Sequence, residues 1–276
     1  MTSGAPLTAS GLEGDQASSG IEVAGVAFVG DPLGALYWPE QGLLAVADLH
    51  LEKGSSYAAR GVLLPPYDTA ATLARLARLI ARYAPRLVVA LGDSFHDNEG
   101  PARVAAGDLA TLRSLQRGRD WIWIAGNHDP RPGPGIGGSF AATLACDPIV
   151  FRHEPQTCAC SGKVDTGFPI RTCANAKEAE RIPIHSIGIR SCACYGEIAG
   201  HLHPRARVSQ RGRTTSRRCF AGDGRRLVMP AFGAYTGGLN VRDRAFADVF
   251  GTLAFTAHML GEARLYAIAA ARCLAD

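Results

Sequence analysis

Residues 43–50 read Leu-Leu-Ala-Val-Ala-Asp-Leu-His, five apolar residues running straight into an Asp-x-His cluster. An apolar run that short, with no polar residue to face water, is the pattern of a strand buried on both faces. The same construction recurs twice. Leu87 to Leu91 (LVVAL) runs into Gly92-Asp93, and Trp121 to Ala125 (WIWIA) runs into Gly126-Asn127-His128-Asp129. Between the first two runs, Asp68 to Tyr83 carries Leu73, Leu76, Leu79 and Ile80 at helical spacing, with Asp68 placed to cap its start and Pro85 to stop it. Between the second and third, Val104 to Leu115 has the pattern of another helix. Strand, helix, strand, helix, strand predicts an α/β sheet built by right-handed crossovers. Ligands of such sheets bind beyond the carboxyl ends of the strands, so the three polar clusters are expected at one rim.

Upstream, Ile21 to Val29 alternates and Ala35 to Trp38 is a second short apolar run, which together open the sheet. Beyond residue 145 the texture changes to short strands and turns, which suits a second sheet packed on the first. Residues 1–20, rich in Ser, Gly, Thr and Ala, read as a disordered lead-in, leaving 21–276 as one domain. A chain of 276 residues with 47% hydrophobic content is long enough to bury a full core. A net charge of +4 does not by itself identify a nucleic-acid binder. No apolar run is long enough for a bilayer, so no membrane is expected, and no basic-then-apolar leader opens the chain. The expectation is a cytoplasmic protein whose eight cysteines are thiols.

Two later clusters complete the set: His153 after Ile149-Val150-Phe151, and Gly200-His201-Leu202-His203. Asp, Asn and His donors in mixture suit borderline divalent ions such as Mn, Fe or Zn. Each piece alone is ordinary turn or surface chemistry. The ordered series of Asp-x-His, Gly-Asp, Gly-Asn-His-Asp, His and Gly-His-x-His, each at a strand end, is not.

With that series, residues 22–266 resemble the calcineurin-like metallophosphoesterases. The resemblance implies a four-layer αββα sandwich, two sheets flanked by helices. It also implies two divalent metals, most readily Mn. Asp48, His50 and His203 would hold one, Asn127, His153 and His201 the other, and Asp93 would bridge them. Such a pair polarises phosphoryl oxygens and supplies hydroxide near neutral pH for attack on phosphorus. His128, beside Asn127, is the implied general acid for the leaving oxygen.

The branch is read from Gly92-Asp93-Ser94-Phe95-His96-Asp97. Protein phosphatases of the superfamily supply an Asp to partner the catalytic His; here His96 stands in that place, as in the Gly-Asp-x-x-His pattern of its DNA nucleases. Longer strings are similar to the bacterial ligase-associated DNA damage response endonucleases. These are Ala47 to Gly54 (ADLHLEKG), Gly61 to Asp68 (GVLLPPYD), Gly196 to Pro204 (GEIAGHLHP) and Pro230 to Asn240 (PAFGAYTGGLN). That likeness implies a DNA-directed phosphodiesterase in repair, associated with an ATP-dependent DNA ligase, a helicase and an exonuclease. Alternatives are a phosphatase on small monoesters or nucleotides and a non-catalytic scaffold. The scaffold is disfavoured because every ligand position is filled.

Arg205, Arg207, Arg211, Arg213, Arg217, Arg218, Arg225 and Arg226 follow the last metal motif. Their guanidinium forks could grip a DNA backbone, with Arg205 and Arg207 nearest the metals, although alternation along strands would put only half on one face. Tyr235 and Asn240, in glycine-rich surroundings, are further candidates to line the cleft. The stretch 157–195 holds Cys158, Cys160, Cys173, Cys192 and Cys194, bracketed by near-copies of Cys-Ala-Cys. A zinc site is one reading. The spacing favours the other, an inserted surface loop that leaves the flanking ligands in place and in which His185 is no ligand.

Overall fold

The computed structural model describes residues 20–130, 133, 135–157 and 196–276. The lead-in, save Gly20, and the cysteine-rich stretch from Cys158 to Tyr195 lie outside the described residues. The first sheet has seven strands in sequence order: β1 (Gly20–Val23), β2 (Val26–Gly30), β3 (Leu36–Trp38), β4 (Leu43–Ala47), β5 (Leu87–Leu91), β6 (Asp120–Ile124) and β7 (Ser139–Ala141). The first four run antiparallel, and β4 to β7 are parallel.

The uniformly apolar runs prove to alternate in what they touch. Ala45, Ala47, Leu87, Val89, Leu91, Ile122 and Ile124 face a core shared with the second sheet. Leu44, Val46, Val88, Ala90, Trp121 and Trp123 face the helices on the other side. Those helices are α1 (Lys53–Ala59), α2 (Asp68–Tyr83), the single turn α3 (Gly100–Arg103) and α4 (Ala106–Gln116). Leu73, Leu76, Leu79 and Ile80 of α2 are buried, as their spacing requires.

The second sheet comprises β8 (Leu144–Cys146), β9 (Ile149–Arg152), β10 (Gly196–Ala199), β11 (Pro204–Gln210), β12 (Arg213–Gly222), β13 (Arg226–Val228), β14 (Leu239–Asn240), β15 (Thr256–Leu260) and β16 (Leu265–Ala269). Its outer face packs on α5 (Arg244–Phe250) and the chain end through Val241, Phe246, Val249, Phe255 and Cys273. The layers are therefore helix, sheet, sheet, helix, as expected, with the last layer thin. Among the described residues, no helix is long and apolar enough to cross a membrane.

Three local expectations need correction. Ile21 to Val29 is a hairpin, β1 and β2, turning at Ala24 and Gly25 with positive φ. The helix over Val104 to Leu115 starts later: Val104 and Ala105 are extended (ψ 125° and 144°), which separates the Gly100–Arg103 turn from α4. Asp68 does not cap its own helix. Its carboxylate turns to the start of α1 and accepts from the Lys53 and Gly54 N–H groups at 2.8 and 3.2 Å.

Candidate metal centre

Strands β4, β5, β6, β9 and β10 all end at one rim, and each delivers its polar cluster there. The loops after β4 and β5 are laced together by backbone hydrogen bonds. His50 N–H donates to the Asp93 carbonyl (2.8 Å), Leu51 N–H to Ser94 (2.9 Å), and His96 N–H back to Leu51 (2.9 Å). The two sheets meet at the same place. Phe232 N–H donates to the Ala47 carbonyl (2.8 Å), and the His201 N–H donates to the Asp48 carboxylate (3.0 Å to Oδ2).

All seven expected ligands converge. His203 Nε2 lies 3.4 Å from Asp48 Oδ1 and 3.4 Å from His50 Nε2. In the other half, His153 Nε2 lies 2.7 Å from Asn127 Oδ1 and 3.2 Å from His201 Nδ1, with His201 Nδ1 3.1 Å from Asn127 Oδ1. Asp93 stands between, Oδ2 at 3.9 Å from His50 Nε2 and Oδ1 at 3.5 Å from His153 Nε2.

Divalent cations fit this set on chemical grounds. His153 Nδ1 is 3.1 Å from the Leu91 carbonyl, which can only accept, so Nδ1 carries the proton and Nε2 presents a lone pair. That lone pair faces the Asn127 carbonyl oxygen: two acceptors in contact, a repulsion that a cation between them relieves. Asp48 and Asp93 are buried, and among the described residues neither is paired with Lys or Arg. Buried anions require compensation. His50 cannot provide it as imidazolium. Burial first, and then the neighbouring His203, His128, His96 and Lys53, lower its pKa to about 2. His201 is likewise lowered, chiefly by burial.

His128 and His96 stand on the open side. His128 N–H donates to Asp93 Oδ1 (2.9 Å), and its Nδ1 lies 2.9 Å from the His96 carbonyl oxygen. The ring is thereby held with Nε2 toward the site, and its side chain is 39% exposed. The His96 ring stacks beside it at 5.2 Å, its pKa lowered to about 4 by burial and by Lys53. Asp97 pairs with Arg103 (2.7 Å), and His128 Nδ1 meets the His96 backbone carbonyl and not a carboxylate.

The expected substrate residues divide. Arg205 and Arg207 share one face of β11 with Arg218 and Ser216 across the register, while Ala206 between them packs into the outer core. Arg207 Nη1 reaches the Ala275 carbonyl at 3.2 Å. Tyr235 sits by the site, its carbonyl receiving Lys53 Nζ at 3.0 Å. Asn240 does not line the cleft. It is 8% exposed, and its amide donates to the Leu274 carbonyl and the Asp276 carboxylate, bracing the chain end. Arg218 and Arg226 also bind the protein itself, Arg218 at the Ala231 and Gly233 carbonyls (2.8 and 3.1 Å) and Arg226 at Val249 and Glu197.

Several contributors escape a motif reading. A Cβ on Gly92 would overlap the His153 ring, and one on Gly200 would lie 2.7 Å from Asp48 Oδ2, so both glycines make room for ligands. Asp129 receives the Phe95 N–H at 3.0 Å behind the site, and burial pushes its carboxyl up to about 7. Arg75 of α2 donates to the Phe232 carbonyl at 2.8 Å. Among the arginines of α2, nothing in the sequence marks Arg75 out for this contact; in the structure it is half-buried.

No curated protein matches the chain. The structure of nuclease MPE from Pseudomonas putida is similar over 90% of this chain and 98% of its own, with 26% identity and a TM-score of 0.60. Yfce, a phosphoesterase from E. coli, aligns with 82% of this chain and 98% of its own at 13% identity and a TM-score of 0.33, too distant a likeness to bear on the site. The calcineurin-like phosphoesterase profile matches residues 43–190, more than half of the chain. That span contains Asp48, His50, Asp93, Asn127 and His153 at the ends of their strands, and by that match the chain belongs to the calcineurin-like phosphoesterase family.

Proposed function

We propose that this chain is a two-metal phosphodiesterase that cleaves DNA during repair. Asp48, His50 and His203 would hold one cation and Asn127, His153 and His201 the other, with an Asp93 oxygen turned to each. Bound there, such cations polarise phosphoryl oxygens and lower the pKa of a water, and Mn, or else Fe or Zn, suits these donors.

The observation that carries the diesterase reading is what surrounds His128. Its Nδ1 meets a neutral carbonyl, and the position beside it holds the His96 ring where a phosphatase would place a carboxylate. His128 therefore keeps its Nδ1 proton, and the half-exposed Nε2 is free to carry a second proton to the departing oxygen. His96, its pKa lowered to about 4 by burial first, places no carboxylate charge on that side, which suits the single negative charge of a diester. The likeness to the Pseudomonas putida nuclease supports nucleic acid as substrate. A cytoplasmic setting and association with an ATP-dependent DNA ligase, a helicase and an exonuclease belong to the same proposal and rest on the sequence strings.

The test is manganese-dependent hydrolysis of bis-p-nitrophenyl phosphate against p-nitrophenyl phosphate, with wild type, Asp93→Ala and His128→Ala. Diester turnover is expected to exceed monoester turnover, to vanish in Asp93→Ala and to fall about 10²- to 10⁴-fold in His128→Ala. Faster monoester turnover would replace this reading with a phosphatase.

A further inference from the structure

Among the described residues, five large apolar side chains are exposed, and three of them, Val62 (50%), Leu63 (87%) and Tyr67 (68%), fall between residues 62 and 67. Single exposed apolar residues are ordinary; a cluster beside an active site is not. The segment is also held. Val62 N–H donates to the Tyr57 carbonyl (3.0 Å), Gly61 to Ala58 (3.0 Å) and Tyr67 to Pro65 (2.9 Å), and Pro65-Pro66 stiffens the rest. Asp68 then ties its end to the start of α1.

This lip adjoins the proton-carrying side of the site. The Tyr57 ring lies 5.5 Å from the His96 ring, and Lys53 Nζ stands 5.9 Å over Tyr57. Arg60 follows on the same turn, its N–H donating to the Tyr57 carbonyl at 2.9 Å. Neither Lys53 nor Arg60 forms an ion pair among the described residues. Unpaired cations interleaved with exposed apolar and aromatic groups are what a polynucleotide strand requires, anionic along its backbone and flat and apolar at its bases. A protein partner seated on the apolar tip would leave the charge of these two cations unanswered.

We propose that residues 53–67 form a substrate-binding lip, Lys53 and Arg60 taking phosphates beside the scissile one and Leu63 and Tyr67 packing on the bases of the same strand. This rests on the DNA reading above. The test is the double variant Leu63→Ser with Tyr67→Ser, exposed positions where the fold has little to lose. Its kcat/KM is measured on an oligonucleotide and on bis-p-nitrophenyl phosphate, which is too small to span the lip. The oligonucleotide-to-small-diester ratio is expected to fall about tenfold through KM, the size of one lost base stack. A wild-type ratio in the variant would overturn the lip and leave the nuclease reading standing. A wild type that hydrolyses the small diester but no oligonucleotide would overturn the nuclease reading and the lip with it.

Discussion

Asp48 (φ 52°), His50 (φ 43°), Asp93 (φ 44°), His201 (φ 72°) and His203 (φ 47°) occupy the left-handed backbone region, which costs an L-residue about 1–2 kcal/mol each. The strain lets a strand end turn sharply enough to aim successive side chains into one volume, and interlocked backbone hydrogen bonds hold it. Gly92, at φ 70°, combines that requirement with contact against the His153 ring. Gly92→Ala should cost about 1–2 kcal/mol for the backbone and about 1–3 kcal/mol for overpacking. His153 would be displaced from Asn127. Thermal denaturation with and without Mn should show a lower Tm and a smaller metal-induced rise than wild type. A wild-type metal response in this variant would mean that the ring has room the structure does not give it.

At the scale of elements, the segment 231–233 joins the two sheets through a clamp of arginines. Arg75 of α2 and Arg218 of β12 donate to the carbonyls of Ala231, Phe232 and Gly233. The N–H groups of Phe232 and Gly233 in turn donate to the Ala47 and Asp48 carbonyls (2.8 and 3.1 Å). The guanidinium of Arg218 thus positions the Asp48 backbone without touching the ligand atoms. Supporting groups of this kind commonly carry about 10- to 100-fold in metal affinity. On the two-metal proposal above, Arg218→Gln should weaken Mn binding at the Asp48 side by about tenfold in calorimetric titration while the other site stays near wild type. Equal weakening of both would show a general loss of fold instead. The arginine-rich stretch is in this respect partly architectural: the basic strip expected to grip DNA is thinned by members that hold the protein together.

For the whole molecule, the two sheets share one core from Ile21 to Leu265, and the candidate metal centre lies at the rim where the His201 N–H of one sheet meets the Asp48 carboxylate of the other. Strands β9 and β10 pair in parallel and bring His153 and His201 to the same rim from either side of residues 158–195. The residues flanking that segment are near each other, since Gln156 N–H donates to Glu197 Oε1 at 2.9 Å. Deleting residues 161–194 should therefore leave Tm within about 5 °C of wild type and diester turnover within about threefold, because closing a shorter loop costs little. Loss of folding would make the cysteine-rich segment part of the domain.

The polar clusters, their order along the chain and the apolar strands that carry them were legible in the sequence. So were the seven side chains that converge at the rim. The reason is local: a strand buried on both faces is uniformly apolar, and a cluster at its end stands out against it. The contacts that support those side chains were not legible. That Gly92 makes room for His153, that Arg75 holds Phe232 and that Asp68 serves α1 are contacts between residues 14 to 157 positions apart. A one-dimensional pattern reports which face of an element is apolar, but not which partner the opposite face meets. Asn240 shows the same limit: a glycine-rich turn is written in the chain, whereas the direction its amide takes, toward the chain end and away from the cleft, was decided by the packing of the second sheet.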